Sequence, residues 1–109
     1  MKKQQKKPNV FVVSWATYET DLGRMTSGAF RDPFKTRKAA KDAIRRDIEG
    51  VAKDCIGTYG EDEAKEIYGT SDPKRLAGEM VKFDSNDFFI VTNPDTDTET
   101  QYSIQGYCV

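Results

Sequence analysis

The chain has 109 residues, with 17 Lys plus Arg, 18 Asp plus Glu and no His, and 32% of it is charged. That length fits one domain, and the missing His removes the commonest general base and the commonest zinc ligand. Two Cys make neither a structural zinc site nor a disulfide framework, and no apolar run approaches the roughly 20 residues of a membrane span.

Residues 1–8 (MKKQQKKP) are basic and almost without apolar side chains, so they read as a disordered tail ahead of a single domain over 9–109. The short apolar run Val10 to Val13 is too brief for a signal peptide, and the expectation is a small soluble cytoplasmic domain without membrane partners. NVFVVSW, residues 9–15, reads as a strand rich in β-branched and aromatic residues. Val10 and Val12 share one face and Phe11, Val13 and Trp15 the other, so both faces are expected to be covered. A weaker strand follows over 24–30, with Gly28 as a candidate bulge.

Asp32-Pro33-Phe34-Lys35-Thr36 is punctuation before a helix, with Thr36 as its N-cap. From Arg37 to Ile56, Ala40, Ile44, Ile48, Val51, Ala52 and Cys55 recur at spacings of three and four and define one buried face. Gly57 is the natural stop. Asp42 with Arg46, and Glu49 with Lys53, are acid-first pairs four residues apart, each worth about 0.3–0.5 kcal/mol. Gly50 inside this helix suggests the close approach of another backbone.

Residues 61–68 (EDEAKEIY) read as a short acidic-start helix, and Ser71-Asp72-Pro73 as the opening of one more helical turn. The period then changes to two. Residues 79–84, 87–92 and 100–108 read as three strands, the first pair joined by a tight turn at Ser85-Asn86, the second by the polar loop 93–99. Short links favour an antiparallel meander. The expected fold is α+β: an antiparallel four- to five-stranded sheet covered on one face by one long amphipathic helix plus a short helix. Its expected core is Val10, Val12, Ile44, Ile48, Val51, Phe83, Phe89, Val91, Tyr102 and Ile104.

Charge is unevenly distributed along the chain. Residues 1–46 hold twelve basic and four acidic side chains, and residues 47–109 five basic and fourteen acidic. Such asymmetry points to a charged partner, unless the halves lie side by side and neutralise each other. Arg37, Lys41 and Arg45, with Lys38 beside them, form a basic stripe on the main helix and a candidate nucleic-acid surface. The ordinary reading of such a stripe is a solvated helix face. Asp84 and Asp87 flank the hairpin turn, and Asp95, Asp97 and Glu99 occupy the next loop; these five are the candidate acidic, partner-binding residues. Turn and loop are expected at opposite ends of the meander.

No metal, cofactor or catalytic residue is assigned. Cys55 and Cys108 lack a His to activate them and read as structural thiols. The run Asp95, Asp97, Glu99 starts like a calcium loop. Thr100 stands where that loop needs Gly, and Gly106 where it needs Glu.

The size, the leading strand, the FKTRKAAKDAI helix start and the acidic antiparallel C-terminal half resemble small accessory proteins of phages and mobile elements. The likeness is one of general character, without a defining motif. Among such proteins are inhibitors of host defence, including anti-CRISPR proteins, which often act by occupying a nuclease surface. The resemblance implies a non-enzymatic inhibitor with a protein partner, such as a nuclease or another nucleic-acid-binding protein, whose basic groove the acidic residues would engage. The alternative is direct nucleic-acid binding by the basic tail and helix. Oligomeric state is left open by the sequence.

Overall fold

A computed structural model describes residues 7–19 and 21–109. Its elements in chain order are β1 (Val10–Glu19), β2 (Arg24–Ala29), α1 (Arg37–Tyr59), α2 (Glu61–Tyr68), α3 (Pro73–Met80), β3 (Val81–Asp84), β4 (Phe88–Thr92) and β5 (Glu99–Tyr107). The strands form one antiparallel sheet in the order β2-β1-β5-β4-β3. This is the expected α+β architecture, with α1 and the bent pair α2 and α3 as the helical layer. The expected tail lies largely outside the described residues. Lys7 and Pro8 are exposed, and Pro8 lies over Gly106 of β5, where an added Cβ would come within 2.8 Å of the proline ring.

Caps fix the helix starts. Thr36 Oγ1 accepts from the Ala39 N–H at 3.0 Å, and Asp72 Oδ1 accepts from the Lys74 N–H at 3.1 Å. The long helix continues through Gly57 and stops at Gly60, whose φ of 86° only glycine adopts cheaply. Gly50 meets no neighbouring backbone, since nothing lies within 4 Å of where its Cβ would sit. Asp42 pairs with Lys38 and Arg45 rather than with Arg46. α3 is two full turns, which moves the start of β3 from the expected residue 79 to Val81. The hairpin turn is shifted by one residue, because the Ser85 N–H bonds the Phe88 carbonyl at 2.9 Å.

The core lies between α1, α3 and one sheet face. Ile44, Ile48, Phe89, Val91, Tyr102 and Ile104 are buried as expected, and Val51 is half-buried. Three expected core positions fall elsewhere. Phe11 and Val13 enter the core, whereas Val10 and Val12 point to the opposite face and Phe83 is 49% exposed. Among the described residues there is only one helical layer, so it covers only one face of β1. Gly28 forms no bulge: it pairs directly with Trp15, and an added Cβ would meet the indole at 2.8 Å. The residue there is small because the indole lies across it.

Candidate functional site

The first three turns of α1 carry Arg37, Lys38, Lys41 and Arg45, as the periodicity predicts. Their charges are engaged locally. Arg37 Nε donates to Asp87 Oδ1 at 2.7 Å, and its guanidinium carbon sits 5.0 Å from the Phe11 ring centroid. Asp42 accepts from Lys38 at 3.1 Å and from Arg45 at 3.5 Å. The Lys38 hydrogen bond holds the Asp42 carboxyl below its usual range. Lys41 Nζ lies 5.9 Å from the Phe89 centroid. The stripe is therefore stitched into the surface by its own neighbours.

The five candidate carboxylates fall into two groups at opposite ends of β4. Asp84 ends β3 and Asp87 lies within the β3–β4 turn, where it belongs to the Arg37 pair. The expected acidic and basic sites thus meet at one ion pair, and the charged halves of the sequence partly neutralise each other there. At the other end, Asn93 organises the β4–β5 loop. Its side-chain oxygen accepts from the Asp95 and Thr96 N–H groups at 2.8 and 3.2 Å, and from the Cys55 thiol at 3.5 Å. Asp95 accepts from the Tyr59 hydroxyl at 2.5 Å, which pushes that phenol up to about 12. Asp97 takes a left-handed φ of 57° in this loop. Glu99 turns onto the sheet and accepts from the Gln101 amide at 3.3 Å. The three loop carboxylates diverge, and among the described residues no group of three or more His, Cys, Asp or Glu could hold a metal.

Cys55 is buried on the core side of α1, and burial pushes its thiol up, away from the reactive thiolate. Cys108 is exposed beyond β5.

The largest unused feature is the sheet face opposite the helices, which the sequence reading missed. Strand pairing places Val10, Val12, Ser14, Ala16 and Tyr18 of β1 on it, beside Gln101, Ser103, Gln105 and Tyr107 of β5. Phe88 and Ile90 of β4 and Phe83 of β3 stand on one flank. Met25, Ser27 and Ala29 of β2 stand on the other. In a chain that is 32% charged, Glu99 is, among the described residues, the one charged side chain that direct strand pairing puts on this face, and Lys82 sits unpaired at the irregularity between Val81 and Phe83. The face has relief as well as low charge. Phe83 and Phe88, with ring centroids 6.2 Å apart, make a ridge with Ile90. Across β5, Ser14, Ala16, Ser27, Ala29 and Ser103 surround a shallow hollow of about 560 Å³. No element of the described chain covers either. The signal available in the sequence was the uncharged alternation of Gln101, Ser103, Gln105 and Tyr107, which marks a second strand face that is neither core nor ordinary charged surface. Comparison with protein-family models, with curated proteins and with solved structures found no match to this chain, so the site rests on its own geometry.

Proposed function

We propose that this chain is a non-enzymatic binding protein whose principal interaction surface is the uncovered sheet face. One observation carries the reading: a broad, nearly uncharged face with exposed aromatic and aliphatic side chains, in an otherwise highly charged chain. Surface apolar residues scattered singly need no explanation, but a contiguous patch of this kind marks an interaction site. Aromatic anchors and depletion of charge are the composition of an interface centre. The inhibitory version, in which the chain blocks a nucleic-acid-handling host protein, draws its support from the charge polarity of the sequence. In that version the Asp95 loop, at the end of the sheet, forms part of the polar rim of the contact, and α1 lies on the far side of the sheet from it. Asp87, tied to Arg37, contributes least.

The test is capture from host lysate by immobilised wild-type protein and by the Phe83→Lys, Tyr107→Lys double variant, with captured proteins identified by mass spectrometry. Both positions are about half exposed, at 49% and 48%, so the variant is expected to fold. Wild type should retain a host protein that the variant loses. Equal capture by both would overturn the reading.

Direct nucleic-acid binding makes a different prediction. A binder using Arg37, Lys38, Lys41 and Arg45 should shift DNA or RNA probes with an affinity that falls steeply with salt, by about 0.9 log units per duplex-phosphate contact per log unit of salt. Because Arg37, Lys38 and Arg45 are held by carboxylates, the expected result is no gel shift at low salt. A salt-sensitive shift that Arg37→Ala, Lys41→Ala, Arg45→Ala abolishes would replace the present reading with that one.

A further inference from the structure

We propose that the occupant of the uncovered sheet face is a second copy of this chain, packed sheet on sheet about a two-fold axis that runs along β5. The inference rests on the reading of this face as an interaction surface and adds the identity of the partner.

A two-fold interface must be self-complementary, because one patch meets itself. The cross-strand row Phe83, Ile90, Gln101, Ala16, Ser27 has that property. β5 is the central strand of the sheet, with two strands on either side. Rotation by half a turn about an axis along β5 therefore sets β4 over β1 of the partner copy and β3 over its β2. In this row the bulky Phe83 and Ile90 then face the small Ser27 and Ala16, and Gln101 meets its own copy. The ridge of each chain enters the hollow of the other. Alternating large and small side chains is what two sheets about 10 Å apart need in order to interdigitate.

Charge and area agree with this arrangement. A face that is nearly uncharged meets itself with little repulsion, whereas a charged one would select an opposite partner. Five strands spaced about 4.8 Å apart, crossed by side chains along the length of β5, give roughly 600 Å² per copy. Two copies would bury about 1,200 Å², the lower end of the range for specific interfaces, so a reversible dimer is expected. Glu99 is the exception. It lies on β5, near the axis, and would approach its own copy, so it opposes the association.

Sedimentation velocity over a concentration series from low to several hundred micromolar tests the proposal. Wild type should pass from monomer to dimer across the series. Ser27→Glu and Phe83→Lys, both at exposed positions, should each shift the midpoint at least tenfold toward higher concentration. The double variant carrying both should recover most of that loss, because each new lysine meets the new glutamate of the other copy. Glu99→Gln should tighten the dimer severalfold. Circular dichroism of each variant separates weakened association from unfolding. A wild-type chain that stays monomeric throughout would overturn the proposal. So would a dimer indifferent to all three substitutions, which would place the contact on another surface. A monomeric wild type that still captures a lysate protein through Phe83 and Tyr107 would sink the dimer alone, leaving the face as the site for a different partner.

Discussion

Ile48→Asp is expected to leave the chain largely unfolded at neutral pH. Ile48 is 2% exposed and sits between Ile44 and Ala52 on the buried stripe of α1, against the sheet. Replacing it removes about 2–3 kcal/mol of apolar burial. It also places a carboxylate where burial of an unpaired charge costs several kcal/mol more, even after the group takes up a proton. Domains of this size have about 5–15 kcal/mol to lose. Far-ultraviolet circular dichroism should show loss of most of the helical signal. Ile48→Val should cost only about 1 kcal/mol, since it trims one methylene in place. Arg46→Asp, two residues away on the exposed side, should change stability by less than about 1 kcal/mol. A folded Ile48→Asp protein would mean that a different face of α1 meets the sheet.

That face of α1 was legible because a helix of this length repeats its apolar positions often enough for the period to be unambiguous. The β1 strand was not. Its alternate residues are apolar on both sides over Val10 to Val13, so periodicity could not say which pair faces the helices. The answer comes from the partner strand: Gly106 and Ile104 of β5 lie beside Phe11 and Val13, while Tyr107 and Gln105 lie beside Val10 and Val12. Phe83 was misplaced for a related reason. A register shift between Val81 and Phe83 puts both on a strand that looks continuous, and only pairing shows that Phe83 sits beside Ile90 on the open face. Helix ends depended on backbone conformation. Gly57 and Gly60 both suit a stop, and α1 ends at Gly60, where the chain turns into α2.

The candidate sites were legible as residues but not as surfaces. Spacing correctly put Arg37, Lys38, Lys41 and Arg45 on α1, and the hairpin logic correctly separated Asp84 and Asp87 from Asp95, Asp97 and Glu99. What spacing could not reveal was the pairing of Arg37 with Asp87, fifty residues apart, because that contact exists only once the β3–β4 turn is brought beside the first turn of α1. The open sheet face escaped notice because it is made of unremarkable residues, Ser, Ala, Gln and single aromatics, contributed by all five strands. Its character lies in what is missing from it, charge, and that becomes visible only after the strands are in register.

Alkaline pH should destabilise the fold, and Tyr102 should account for the largest part. Tyr102 is 4% exposed, and its hydroxyl donates to Asp47 Oδ2 at 2.6 Å. Burial, then the hydrogen bond to that carboxylate and its negative charge, push the phenol far above its usual range. Tyr68 is raised, chiefly by burial. Tyr59 is raised to about 12 by Asp95, and Cys55 is raised by burial. All four shifts have the same sign. Above the ordinary tyrosine range, near pH 10, the unfolded chain releases protons that the folded chain still holds. Stability from these groups is therefore complete below the unfolded values and is lost as pH rises through the folded ones. A phenol that stays protonated while its unfolded counterpart ionises removes up to about 1.4 kcal/mol per pH unit. Thermal melts should be flat near neutrality and fall progressively above about pH 9–10, with Cys55 contributing first. Tyrosinate absorbance should rise in two steps, the second coincident with loss of the circular dichroism signal, because Tyr102 ionises only when it is exposed. Tyr102→Phe should cost about 1–2 kcal/mol at neutral pH, where Asp47 is exposed and can turn to water, and should make the alkaline fall distinctly shallower. An alkaline slope identical in wild type and Tyr102→Phe would show that the Tyr102–Asp47 bond does not link protonation to folding.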